Sequence, residues 1–398
     1  MRHCTHADRS AVLPLVTTRV LCAPDKLRGA VDAAGAAAAL AAGARAAGAT
    51  AVELPIADGG EGTLDAFAAG AVVLDVPVRD ALGRPRTARL ARLDEHGTFL
   101  VEAAEAVPLH GLAAHERDVL RASSWGVGEL IAAALERGAS RLLVAVGGTA
   151  TMDGGAGMLA ALGAACPRDG AGLLDAFGAS GAGAAGSGAA EPATGAETGA
   201  TVDLAGLDRR LRTVEIELLV DVAAPLTGSD GAAGRFGPQK GATPAQVAQL
   251  DAAHARWAAA LGIDPATPGA GAAGGLGAAL QALGARTAPG AETVLDVKRF
   301  DERLAGADLV LTAEGSVDAS TLQGKAVAAV VGRCARAGVP VVVLGGRVDR
   351  DAAAELRRRG ARDVRALGSA DRPLAEALAA APAELEAAAR AAVSAAPA

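Results

Sequence analysis

The sequence predicts an α/β fold with two lobes: an open parallel-sheet domain built from both chain ends, and a second α/β domain inserted between them. Three observations carry this expectation. The chain has 398 residues, beyond the roughly 250–300 at which a single core stops growing. Short aliphatic runs alternate with Ala-rich helical patterns towards both ends, the grammar of parallel sheets whose ligands sit at the carboxyl ends of strands. Between them, segment 72–103 changes to the alternation of an antiparallel or mixed sheet, with turn signals at Gly83, Pro85 and Gly97.

The elements follow in order. Residues 1–18 are expected as a disordered leader: the apolar stretch is broken by Pro14 and two threonines, which argues against a secretory signal. Arg19–Ala23 is a strand ending at Pro24–Asp25, followed by a helix from about Val31 to Ala47. A second strand, Ala51–Ile56, runs into Asp58-Gly-Gly-Glu-Gly-Thr63 and another helix. After the alternating segment come a helix over Gly128–Arg137, a strand over Arg141–Val146, a Gly/Thr-rich loop and a helix from about Ala156. Residues 171–201 are almost wholly Ala, Gly, Ser, Thr and Glu, a composition that buries little surface, and are expected as a flexible surface loop. A strand over Val214–Val220 ends at Asp221; strands over Asp308–Thr312 and Val339–Leu344 and a C-terminal Ala/Arg helix complete the chain. This assigns 19–64 and 285–398 to the discontinuous domain and 65–284 to the inserted one.

Composition excludes several function classes. Aromatic residues are 2% with no Tyr, and the formal net charge is −7, so base-stacking platforms and a phosphate-tracking surface are both lacking and nucleic acid is not an expected partner. Cys4, Cys22, Cys166 and Cys334 are scattered without a CxxC pair, which fits reduced thiols in a cytoplasmic protein. Long apolar runs are Ala/Gly-rich and interrupted by charge, so no membrane span is expected.

The most informative loop is Gly147–Gly157, set between a strand and a helix. Glycines let backbone N–H groups approach an anion closely, and Thr149 and Thr151 add hydroxyl donors, so Gly147, Gly148, Thr149, Thr151, Gly154 and Gly155 read as a phosphate or carboxylate cradle. A carboxylate in such a cradle repels its ligand unless it holds Mg²⁺ or moves a proton, which singles out Asp153. Asp58 and Glu61 repeat this logic at a second strand end, where the alternative is that Glu61 and Thr63 start a helix. Asp221 occupies a third such position. Phosphoryl transfer needs cations as well. Lys26, Lys240 and Lys325 lie in loops at or near strand ends, in a chain with far more Arg than Lys.

Other signatures fail. Gly269–Gly274 matches GxGxxG formally, but no strand precedes it. Gly324-Lys325 lacks the upstream glycine of a Walker A loop, and no histidine is placed for a Ser/His/Asp hydrolase.

These loops, with Ala23-Pro-Asp-Lys26, Ser123–Ile131, Pro225-Leu226, Phe236–Ala242, Pro268–Gly277 and Thr312–Lys325 in the same order, resemble the bacterial type I glycerate kinase family over residues 20 to about 345. The resemblance implies a Rossmann-like domain with an inserted domain, and ATP, Mg²⁺ and D-glycerate in the cleft between them, giving a phosphoglycerate, generally the 2-phosphate. It adds Glu314 and Asp318 to the candidate binding residues. On this reading Asp58, Asp153 and Asp221 supply Mg²⁺ contacts and the base, with Asp153 favoured as base and Lys325 beside it in catalysis, while Lys26, Lys240 and Lys325 neutralise phosphate. The chain departs from the family pattern at Met152, Ala223-Ala224, Ala313 and Ser316. An Arg is usual at the last of these, and Ser does not replace a bidentate donor. Either that arginine is dispensable, a nearby Arg compensates, or the substrate differs. The competing expectation is a non-catalytic small-molecule-binding relative, or a kinase for another short hydroxy acid.

Overall fold

The computed structural model describes residues 17–178, 202–221, 223–369 and 371–395. Most of the leader expected over 1–18 lies outside the described residues, and so does the larger part of the loop expected over 171–201. The start of that loop is instead a helix, Gly170–Phe177, whose N-terminus is capped by the Asp169 carboxylate accepting from the Gly172 N–H at 2.8 Å. Leu173 and Phe177, four residues apart, bury one face of it.

Among the described residues, eleven strands form two sheets. In chain order they are β1 (Arg19–Cys22), β2 (Thr50–Glu53), β3 (Val72–Arg79), β4 (Pro85–Arg92), β5 (Thr98–Glu102), β6 (Arg141–Ala145), β7 (Glu215–Val220), β8 (Arg286–Pro289), β9 (Leu309–Val317), β10 (Val341–Val348) and β11 (Asp363–Ala366). The first sheet has the order β11-β10-β9-β1-β2 and is parallel throughout. Its strands alternate with period two. Leu21, Val310 and Val343 face one core, shared with helix Ala326–Ala337, while Val20, Cys22, Leu309, Leu311 and Val342 face the other, shared with helices Ala33–Ala46 and Leu374–Ser394. Helices on both faces make it doubly wound.

The second sheet has the order β3-β4-β5-β6-β7-β8, with β3 to β5 antiparallel and β5 to β8 parallel. The alternating segment thus forms the antiparallel edge of a mixed sheet. Two places differ from the expected boundaries. Leu64 and Phe67 of the helix Thr63–Phe67 pack with Leu100, Leu143 and Leu219 of the second sheet, so the chain enters that lobe before residue 65. It leaves after Pro289, because β8 pairs in parallel with β7. The next helix, Gly290–Val297, belongs to both cores: Ala291 and Leu295 pack with the first sheet and Val294 with the second.

Candidate active site

The carboxyl edge of the first sheet builds one half of the site. Backbone pairing continues beyond β1, where the Asp25 N–H donates to the Ala313 carbonyl and the Ile56 N–H donates to the Pro24 carbonyl, both at 2.9 Å. This clamps Pro24–Asp25 between its neighbours and turns Asp25 and Lys26 into a cavity of about 390 Å³, lined also by Asp58, Glu314, Ser316, Asp318 and Lys325. Asp25 is pushed up to about 6 by burial and by the Asp58 charge, although Lys26 Nζ stands 3.7 Å away and opposes the rise. Burial alone would lower the Lys26 ammonium, but the Asp25 and Asp58 carboxylates outweigh it and the net shift is upward. Glu314 is raised to about 7 by burial, against a 2.7 Å hydrogen bond from the Thr321 hydroxyl. Asp318 is lowered, chiefly by the Ser320 hydroxyl that donates to it, and Lys325 Nζ donates to the same hydroxyl at 2.8 Å.

The second half lies where β6 and β7 end. A smaller cavity of about 170 Å³ is lined by Gly147, Gly148, Thr149, Asp221 and Lys240. Lys240 is buried, its Nζ donates to the Thr151 carbonyl at 2.8 Å, and burial drives its ammonium down to about 7 against the pull of Asp153. Asp221 is raised to about 7, first by burial and then by Asp58.

The rest of the Gly147–Gly157 loop points elsewhere, which corrects the expectation for Asp153. That carboxylate is fully buried and lines neither cavity. It accepts from the Ser124 N–H at 2.7 Å, the Ser124 hydroxyl at 2.8 Å, the Gly157 N–H at 3.1 Å and the Gly155 N–H at 3.2 Å. Burial raises its pKa and these four donors offset part of the rise. It ties the loop to the start of helix Trp125–Glu136. Thr151 is also fully buried and its hydroxyl donates to the Ala273 carbonyl. Gly154 offers its carbonyl to the Trp257 Nε1–H at 2.9 Å, and a Cβ on Gly155 would stand 2.5 Å from that of Ala279. The glycine run 269–277 is the packing partner of this turn. The Gly154 N–H donates to the Gly274 carbonyl, and a Cβ on Gly274, at φ +70°, would stand 2.0 Å from the Thr151 carbonyl oxygen. Of this loop, only Gly147–Thr149 line the smaller cavity, backed by an inward-facing turn. Met152 lies in that backing, fully buried beside Leu226 and Ala278, and Ala313 is likewise buried under the first sheet.

Asp58 joins the halves. It lines the larger cavity and its charge is felt by both Asp25 and Asp221. Its turn is seated against the second lobe. A Cβ on Gly290 would stand 1.9 Å from the Asp58 carbonyl oxygen, and a Cβ on Gly147 would stand 2.6 Å from the Gly60 Cα. Glu102, at the end of β5, accepts from the N–H groups of Gly62 at 2.7 Å and Leu64 at 2.8 Å, so the alternative read for this segment, a helix start, is met by a residue of the inserted lobe. Lys26 and Lys325 act on Asp25 and Asp221 alike. Three aspartates and two lysines from four separate segments thus form one charge cluster between the cavities. Among the described residues, no three or more His, Cys, Asp or Glu side chains converge as a ready-made metal cage.

Four charged lining residues were not among the expected ones. Asp25 had a signal, since it adjoins Lys26 at a strand end; Arg28, Arg347 and Glu384, which line the larger cavity, had none. Arg347 stands opposite Ser316 in the β9–β10 register, a neighbour visible only once the strands are paired.

Comparison with known proteins agrees over nearly the whole chain. The family model of the glycerate kinase family matches residues 20–396. The glycerate kinase of Bacillus subtilis is 38% identical over 344 residues, covering 84% of this chain and 86% of the relative. The glycerate 2-kinase of Escherichia coli is 36% identical over 343 residues, with 84% and 86% covered. A crystal structure described as glycerate kinase 2 from Salmonella typhimurium LT2 superposes with a TM-score of 0.76 at 34% identity, covering 95% of this chain and 98% of that one. No described helix is long and apolar enough to cross a membrane.

Proposed function

The chain belongs to the glycerate kinase family, and on that premise we propose that it transfers the terminal phosphoryl group of ATP to a hydroxyl of D-glycerate in the cytoplasm, with 2-phosphoglycerate as product. The observation that supports this reading best is the pair of cavities, one less than half the size of the other, linked by the charges of Asp25, Asp58, Asp221, Lys26 and Lys325.

The acceptor fits the smaller cavity. Its volume suits a three-carbon acid, and its walls offer the backbone of Gly147 and Gly148, the Thr149 hydroxyl and Lys240. Lys240, held near 7 by burial, takes up a proton more readily once a carboxylate lies beside it, so binding the acid completes an ion pair that the free protein lacks. Asp221 lines the same cavity beside the cluster. With its carboxyl raised to about 7, it is half ionised near neutral pH and suited to accept the proton of the attacking hydroxyl. Lys26 and Lys325 offset negative charge on the transferring group. Asp25 and Asp58 fit Mg²⁺, because a nucleotide-bound Mg²⁺ needs only one or two carboxylates besides phosphate oxygens and water, and the Asp58 charge that raises Asp25 is charge a divalent cation relieves. When bound, the ion supplies further neutralisation of phosphate charge.

The test is ATP consumption by the full chain with D-glycerate and a panel of short hydroxy acids, and phosphorus NMR of the product. Turnover with D-glycerate giving the 2-phosphate supports the reading. Turnover with a different acid would move the substrate, and ligand binding without turnover of any acid would establish a binding-only relative instead.

A further inference from the structure

We propose that the larger cavity is the nucleotide compartment, with Arg28 and Arg347 holding its phosphate chain and the first turns of the C-terminal helix Leu374–Ser394 walling its base. The proposal rests on the phosphotransfer reading above and assigns the donor to a place in it.

Size decides first. Sites for drug-sized and cofactor ligands occupy roughly 300–1,000 Å³, which admits a nucleotide to the cavity of about 390 Å³ and not to that of about 170 Å³. The chemistry of the larger cavity then divides along its length. At one side stand Asp25, Lys26, Asp58 and Lys325, next to the acceptor cavity. The cavity is lined as well by Leu367 and by Leu374, Leu378 and Ala381, which recur at i, i+4 and i+7 on one stripe of the C-terminal helix, with the Glu384 carboxylate further along it and paired with Arg372. Leu374 is 71% exposed, one of few large apolar side chains so placed among the described residues. A three-carbon hydroxy acid has no use for such a wall, whereas a purine face does, and no aromatic residue lines the cavity to stack on it.

Two guanidinium groups complete this cavity. Several arginines of the chain are matched to carboxylates: Arg333 alone meets Glu292, Asp296 and Asp301, and Arg89 meets Asp65 and Glu105. Among the described residues, neither Arg28 nor Arg347 has an ion pair or a side-chain hydrogen bond. Arg347 projects from β10 directly across from Ser316 on β9, and the Ser316 hydroxyl is turned to Asp318 at 3.2 Å. The arginine absent at position 316 is therefore replaced by one on the neighbouring strand, facing the same cavity. A planar fork left open over a cavity is suited to a phosphate.

The test uses the full chain with Arg347→Gln, Leu378→Glu and, as a control outside the cavity, Arg350→Gln. Rates are measured with ATP and D-glycerate varied separately, and binding of a non-hydrolysable ATP analogue by calorimetry. The first two variants should raise KM for ATP and weaken analogue binding by about tenfold or more, with KM for D-glycerate within about twofold and the control unaffected. Both altered positions are accessible, and circular dichroism melts verify folding. Unchanged ATP affinity in both variants, or a shift in KM for D-glycerate instead, overturns the proposal. If the wild-type chain phosphorylates no hydroxy acid, the phosphotransfer reading fails, while analogue binding still reports on the compartment.

Discussion

The inner turn of the glycine loop and the junction between the lobes each hold an aspartate after a strand of the second sheet, fully buried in the first and partly buried in the second, and they treat it in opposite ways. Asp153 has four hydrogen-bond donors and no cavity beside it. Asp221 lines a cavity and is raised to about 7 by burial and the neighbouring Asp58 charge. Burial alone therefore does not mark a working carboxylate. The number of donors committed to it separates the two, because a carboxylate held by four donors serves the fold and one with fewer beside a cavity is freer to accept a proton.

The largest effect expected from this contrast is on turnover. Asp221→Asn removes the proposed base and should lower kcat by about 10³-fold, within the range general bases contribute, with the melting temperature unchanged or raised because a like charge beside Asp58 is gone. A steady-state assay with a thermal melt reads both, and near-normal kcat in this variant would break the contrast. Next in size is Asp153→Asn. Whichever way the amide turns, its NH₂ faces a donor that the carboxylate had satisfied, so unfolding free energy should fall by about 2–3 kcal/mol while kcat per folded molecule stays within about threefold. Urea unfolding measures it; lost turnover at wild-type stability would restore Asp153 as the base.

A third effect is on pH. Asp221 faces Asp58, Lys325 and Lys26, and its folded-state pKa lies above the usual value of 3.8. The folded protein thus binds that proton more tightly than the unfolded chain, and the stability this supplies is full below about pH 4 and lost as pH rises through about 7. The stability of wild type relative to Asp221→Asn should decline between about pH 4 and pH 7 in ligand-free protein, and kcat should rise over the upper part of that window. A flat difference would place the Asp221 carboxyl in the ordinary range.

What the sequence disclosed and what it withheld divide along the same line. Strands such as Arg141–Ala145 and Val341–Val348 were legible because period and burial act locally. Lysines were informative because they are scarce, and the structure brings Lys26 and Lys325 into the larger cavity and Lys240 into the smaller. The Gly147–Gly157 loop was legible only as a loop. Its outward and inward halves have the same composition, and Asp153 is turned inward by Ser124, 29 residues away, while Gly154 is held by Trp257, 103 residues away. The run 269–277 was dismissed as a dinucleotide fingerprint with good reason, yet its glycines are required for backbone contact with that turn. The strand β8 carries only Arg-Thr-Ala-Pro, mostly exposed, so the far boundary of the inserted lobe had no apolar signal.

The close fit of Gly290 against Asp58 also bears on how such a chain can be assembled. The points where the chain enters and leaves the second lobe are not at opposite ends of it but touch, so that lobe is a closed loop hung from one spot on the first. Insertions are tolerated where the ends to be joined already lie together, and a lobe attached in this way can be gained, exchanged or resized without parting the strands that carry it.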